Sequence, residues 1–130
     1  AEGGRSRRLR PAHRAKRGPG KLALESGERV VPIALYGPQF MRFAKKGRIP
    51  KVIVRYGRPI QFEKVVEPTK EQQLAASQLI FDRVLEMWYE LEADFATPRQ
   101  LADADRADQL ADQAKAARAT PPAEQAGAGQ

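Results

Sequence analysis

Five residues near the start of the chain, Glu2-Gly3-Gly4-Arg5-Ser6, combine groups able to grip a phosphate. Paired glycines let backbone N–H groups turn towards an anion with no Cβ in the way. The Arg5 guanidinium is a planar fork that can take two phosphate oxygens at once, and the Ser6 hydroxyl adds a further donor. Glu2 can orient that guanidinium or accept a hydrogen bond from a ligand hydroxyl. A short charged chain end has the same composition, so the stretch acquires meaning only from its neighbours along the chain.

Other residues compete for chemical roles. Lys16 and Arg17 stand just before Gly18-Pro19-Gly20, which sets up a short helix over residues 21–26 with Gly27 as its left-handed stop. Amide dipoles at a helix start would reinforce these cations against an anion; a solvated basic loop explains them equally well. Phe40, Met41 and Phe43, beside Lys45, Lys46 and Arg48, could press on an anionic bilayer with rings inward and cations at the headgroups. Core residues next to a basic loop explain the patch nearly as well. His13 is the sole histidine and reads as a solvated loop residue.

Positioning these groups falls to a small set of elements. Residues 5–17 read as loop. Residues 30–36 (VVPIALY) are apolar on both faces, as in a strand covered from both sides, and Pro32 demands a gap, a bulge or a free edge there. Residues 37–50 read as loop with one helical turn around 40–45. Residues 51–56 (KVIVRY) read as a second strand, closed by Gly57-Arg58-Pro59, and the two strands could lie in one sheet.

The strongest helix spans residues 70–95. Thr69 is a natural N-cap with Gln72 three residues on, and Leu74, Phe81, Leu85, Trp88 and Leu91 share a face widened by Ile80 and Val84. Trp88 there is core. Thr97, Pro98 and Gln100 repeat the start signal. The next helix has Leu101, Leu110 and alanines for a seam, which predicts weak docking. The domains are thus residues 1–96, an acidic Ala-rich helical extension over 97–118, and a disordered tail over 119–130.

Composition limits the function classes. With 130 residues, 42% of them apolar, one modest domain is possible, and the lack of cysteine removes disulfides and thiolate metal sites. No secretory pattern is present, and the longest apolar run, residues 30–36, is far too short to cross a bilayer. The net charge of +7 is unevenly spread. Residues 1–66 hold 17 Lys+Arg against 4 Asp+Glu, whereas residues 67–130 hold 6 against 12. Such a cationic front attracts phosphates, whether on nucleic acid, lipid headgroups or a small substrate.

Together and in order, Glu2-Gly3-Gly4-Arg5-Ser6, Val31-Pro32-Ile33 and Tyr56-Gly57-Arg58-Pro59-Ile60 resemble the second half of the lysophosphatidic acid acyltransferase family. The likeness extends over about residues 1–88. Gly4 stands where family members usually carry Thr, and Ala1 where a Pro is common. The resemblance implies an α/β fold, a mixed sheet flanked by helices to which this chain gives the later strands and a closing helix. It implies transfer of an acyl group from coenzyme A or acyl carrier protein to 1-acylglycerol-3-phosphate, with the thioester as co-substrate and neither metal nor other cofactor. Acceptor-phosphate binding falls to Glu2, Gly3, Gly4, Arg5 and Ser6. Substrate or carrier contacts are Lys16, Arg17, Val31, Pro32 and Ile33.

In this family a His-x-x-x-x-Asp block supplies the base, and the sequence contains none: Gly18 occupies the place of the Asp after His13. The expectation is a chain that starts partway through a larger protein, lacks the catalytic base and is inactive alone. Its place would be the cytoplasmic face of a membrane, peripheral or anchored by segments outside these residues. The alternative is a basic nucleic-acid-binding module, disfavoured because residues 5–21 hold no Phe, Tyr or Trp to stack on a base and their prolines and glycines argue against a continuous helix for a groove. A non-catalytic scaffold is favoured only if the chain is complete as given.

Overall fold

The computed structural model describes residues 8–11, 14–43 and 47–119. Along them run α1 (Arg17–Ser26), β1 (Ile33–Tyr36), a 3-10 helix (Pro38–Phe43), β2 (Ile53–Tyr56), α2 (Lys70–Phe95) and α3 (Pro98–Ala119). The arrangement is mixed α/β: α1 and a two-stranded antiparallel sheet both pack on the long helix α2.

Helix α2 has the predicted bounds, for the predicted reason. The Gln72 N–H donates to Thr69 Oγ1 at 3.2 Å, and the Thr69 N–H donates to Gln72 Oε1 at 2.9 Å, so two orphan donors are satisfied reciprocally. Phe81, Leu85, Trp88 and Leu91 are buried along one stripe, with Ile80 and Val84 half-covered beside it. Leu74, expected on the same stripe, is 45% exposed. At that end the covering element is α1, which meets α2 at Gln73 and Ser77.

Helix α1 starts four residues earlier than the sequence suggested and takes in Gly18, Pro19 and Gly20. Pro19 is tolerated because N–H groups of a first helical turn have no intrahelical acceptor to lose. Gly20 is required by packing: a Cβ there would lie 2.0 Å from the Gln73 carbonyl oxygen. Its N–H donates to the buried Ser77 hydroxyl at 2.7 Å. Gly27 ends the helix in the left-handed region, φ 66°, with its N–H on the Ala23 carbonyl, as expected.

Strands β1 and β2 pair with Ile33 opposite Tyr56 and Tyr36 opposite Ile53. Beyond this ladder, Val30 and Ile60 form an isolated bridge. Two residues separate bridge from ladder on the first segment and three on the second, so Gly57-Arg58-Pro59 carries a bulge opposite Pro32. The interruption predicted at Pro32 is therefore present and shortens β1 to residues 33–36; β2 ends at Tyr56 as expected but starts at Ile53, where its partner strand stops at Tyr36.

The strand is not covered from both sides by any described residue. Ala34 and Tyr36 are buried towards α2, whereas Ile33 (45% exposed) and Leu35 (50%) face outward. The register sets Ile33 beside Tyr56 and Leu35 beside Val54, giving one continuous apolar outer face. The inner face joins a core of Leu9, Ala34, Tyr36, Phe40, Trp88, Leu91 and Ala104. Tyr36 sits edge-on to Phe40, ring centroids 5.8 Å apart, and 5.3 Å from Trp88. The 3-10 helix replaces the single turn expected around residues 40–45.

Helix α3 repeats the reciprocal cap: the Thr97 N–H donates to Gln100 Oε1 at 3.0 Å and the Gln100 N–H to Thr97 Oγ1 at 3.2 Å. Its apolar docking is sparse, as predicted; Ala104 is its one buried residue, and Leu101 and Leu110 are exposed. Charge supplies a second attachment with no counterpart in the sequence-based expectation. Arg10 donates from Nε to Glu92 Oε2 on α2 at 3.1 Å. It donates from Nη1 to Asp105 Oδ1 on α3 at 2.6 Å and to Asp108 Oδ2 at 3.4 Å. Arg8 pairs with Asp112, and Leu9 between them enters the core. Residues 8–10, expected as plain loop, are thus pinned on three sides. The tail predicted to be disordered lies outside the described residues from Thr120 onward.

Candidate functional site

Glu2, Gly3, Gly4, Arg5 and Ser6, the candidate anion block, lie outside the described residues, as do His13, Lys45 and Lys46. Lys16 and Arg17 fall at the start of α1, Lys16 as an N-cap with extended backbone and no side-chain capping bond. Both side chains are exposed. The apolar half of the candidate bilayer patch divides: Phe40 belongs to the core, while Met41 and Phe43 are exposed. The Arg42 guanidinium lies over the Phe43 ring, 4.9 Å from its centroid.

Val31, Pro32 and Ile33, grouped by adjacency in the sequence, do not form one patch. Side chains alternate along extended backbone, so Val31 and Ile33 point outward and exposed while Pro32 turns inward and is buried. What Pro32 does meet is Gly57, whose N–H donates to the Pro32 carbonyl at 2.8 Å. A Cβ on Gly57 would fall 2.7 Å from Pro32 Cγ and 2.9 Å from Met87 Sδ, so only a glycine lets the bulge settle this closely on β1 and α2.

The bulge roofs a cleft of ≈ 540 Å³ against α2, within the ordinary range for small-molecule sites. Pro32, Gly57, Arg58, Pro59 and Ile60 form the strand side. Leu79, Arg83, Glu86, Met87 and Glu90 form the helix side. Its charges are mostly satisfied: Arg83 Nη1 is 3.4 Å from Glu86 Oε2, and Glu90 Oε2 is 2.9 Å from Arg55 Nη1. Arg58 is exposed and bonds no described residue. In the sequence Arg58 is a turn residue and a member of the 56–60 block; its place opposite Pro32 follows only from the bridge between Val30 and Ile60.

Titration properties elsewhere are structural. Burial works against the charge on Arg10, but its hydrogen bonds to Asp105 and Glu92 outweigh that cost and hold its pKa above the usual arginine value. Burial, reinforced by the Glu92 charge, pushes the Tyr36 phenol up to about 12, and the same causes raise Tyr89. The Tyr36 hydroxyl is buried without a hydrogen-bond partner among the described residues. Neither phenol is a base at neutral pH, and the cleft carboxylates are ion-paired.

Among the described residues, no group of His, Cys, Asp and Glu is placed to hold a metal ion, and no helix is long and apolar enough to cross a membrane. Comparison with protein-family models, with curated proteins and with solved structures returned no match to this chain.

Proposed function

We propose that this chain is the acceptor-binding part of an acyltransferase of phospholipid synthesis. It would serve transfer of an acyl group from an acyl thioester, on coenzyme A or acyl carrier protein, to 1-acylglycerol-3-phosphate, giving phosphatidic acid. One observation carries the reading. The two blocks Val31-Pro32-Ile33 and Tyr56-Gly57-Arg58-Pro59-Ile60, which resemble separate motifs of one family, are bonded neighbours through Gly57 and Pro32 and contribute to one cleft.

In this reading the free hydroxyl of the acceptor attacks the thioester carbonyl, its proton passes to a base, and the thiolate leaves. The base belongs to a His-x-x-x-x-Asp block on polypeptide outside these residues. Arg5, with the amides of Gly3 and Gly4, holds the acceptor's phosphate. The cationic front of the chain favours approach of both phosphate-bearing substrates and of an anionic membrane surface.

The test is steady-state acyl transfer with the two substrates varied separately. Arg5→Ala removes a charge-assisted contact of about 2–3 kcal/mol, so the acceptor KM should rise on the order of 30- to 150-fold while the donor KM holds. Equal loss towards both substrates makes Arg5 structural, and no transfer to the phosphate-bearing acceptor by the intact protein overturns the reading.

A further inference from the structure

We infer that α3 is an autoinhibitory helix: its Asp105, Asp108 and Asp112 carboxylates occupy the arginines of the basic segment, and a phosphate-bearing ligand displaces them in order to bind there. The inference rests on the reading of the cationic front as a phosphate-binding segment and adds its regulation. A soluble phosphate monoester and an anionic lipid headgroup present the same group, so one device answers to either source.

The carboxylates are placed as a stand-in for such a ligand. Spacings of three and four residues set Asp105, Asp108 and Asp112 on one face of α3. Arg10 Nη1 donates to the first two at 2.6 and 3.4 Å, and Arg8 pairs with the third. Arg8 follows Arg5 by three residues, so the segment that α3 covers continues directly from the candidate anion block. A guanidinium receives carboxylate and phosphate oxygens in the same fork geometry, and a phosphate monoester brings more oxygens and more charge.

The attachment is one that a competing anion can break. Ala104 is the one buried residue of α3, against six on α2, so little apolar surface resists separation. The side chains of Asp105 and Asp112 are 62% and 66% exposed, and ion pairs so open to water contribute little each. Asp108 opposes docking: its Oδ1 is buried with no hydrogen-bond partner among the described residues, a desolvation cost that release relieves.

Release leaves both sides of the contact in order. The reciprocal cap between Thr97 and Gln100 moves with α3, and only Ala96 and Thr97 separate that helix from α2, so it swings as a unit about a short joint. Arg10 keeps its Nε on Glu92 of α2 at 3.1 Å, and Leu9 belongs to the core. The segment therefore holds its place while Arg8 and the Nη1 of Arg10 turn to the ligand.

The chain has no cysteine, so Ala75→Cys on α2 and Gln113→Cys on α3 give two exposed positions for spin labels. Double electron–electron resonance in low salt should show one narrow distance distribution. The phosphate arms are 1-acylglycerol-3-phosphate below its micelle concentration and mixed phosphatidic acid–phosphatidylcholine vesicles; at least one should replace it with a broad, different distribution. Sodium chloride at matched ionic strength and vesicles of phosphatidylcholine alone should leave it unchanged. The triple variant Asp105→Asn, Asp108→Asn, Asp112→Asn should bind the effective ligand more tightly than wild type by about tenfold or more, an ordinary size for coupled equilibria. Asp103→Asn, outside the paired stripe, should bind as wild type does. An unmoved distribution in both phosphate arms, a change matched by sodium chloride, equal affinity of triple variant and wild type, or an equal gain for Asp103→Asn overturns the proposal. The distance measurement uses no charge variant, so it decides even where the triple variant fails to fold. Displacement of α3 in a protein that transfers no acyl group refutes the activity alone, and acyl transfer with α3 unmoved refutes the autoinhibition alone.

Discussion

The Arg10 guanidinium donates to the Glu92 carboxylate at 3.1 Å across 82 residues of sequence, and the same guanidinium reaches Asp105 and Asp108 on the next helix. One cation therefore ties the basic segment to both α2 and α3. Arg10→Met leaves a largely covered Glu92 without its partner, a change that costs several kcal/mol when complete and less with partial exposure. The expected loss is about 2–3 kcal/mol in urea unfolding, larger than for Arg8→Met, whose partner Asp112 is exposed. Equal losses for the two variants would show that Arg10 is no hub.

Tyr36 is 1% exposed and its hydroxyl has no hydrogen-bond partner among the described residues. Tyr36→Phe removes an unsatisfied polar atom and keeps the ring against Trp88, so stability at pH 7 should stay level or rise by up to about 1 kcal/mol. The folded phenol titrates higher than the unfolded one, at about 12 against 10.0, so its contribution is complete below pH 10 and is lost as pH rises towards 12. Denaturant midpoints collected from pH 8 to 12 should fall more steeply for wild type than for Tyr36→Phe. Parallel curves would contradict the burial assigned to this group.

Two glycines of one helix should respond oppositely to alanine. Gly20→Ala drives a methyl into backbone atoms of α2 and should cost about 3 kcal/mol or more. Gly18→Ala meets nothing within 4 Å and should gain a few tenths of a kcal/mol, up to about 1, from restricting the unfolded chain. Thermal unfolding of both variants decides it; a tolerated Gly20→Ala would mean that α1 and α2 do not approach this closely.

The contrast between local and distant causes explains how much of the fold is legible in the sequence. The caps at Thr69 and Thr97, the stop at Gly27 and the break at Pro32 depend on residues within a few positions of one another, and all can be read directly. Gly20 reads as a turn maker because its reason, Ser77, lies 57 residues away. The Arg8 and Arg10 ion pairs have no local signature at all: a basic run and an acidic helix, each ordinary alone, meet only in the fold. At the candidate site, adjacency groups Pro32 with Val31 and Ile33, whereas strand alternation gives it to Gly57 and the cleft. Arg58 emerges only once the bridge at Val30 and Ile60 reveals the bulge.

The outer face of the sheet sets a further expectation. Ile33, Leu35, Val54 and Tyr56 form an exposed apolar surface on a two-stranded sheet, the kind of surface that drives association. Leu35→Glu should lower self-association in sedimentation velocity while shifting the unfolding midpoint little. A variant that no longer unfolds cooperatively would show that this face is already covered in the isolated chain.

The most direct measurement is ³¹P NMR of 1-acylglycerol-3-phosphate, below its micelle concentration, titrated with this chain and with its Arg5→Ala variant. A saturable phosphorus shift with wild type, reduced by on the order of 30-fold or more in affinity for the variant, is the expected result. Identical titrations for the two proteins would contradict the assignment of the acceptor's phosphate to Arg5.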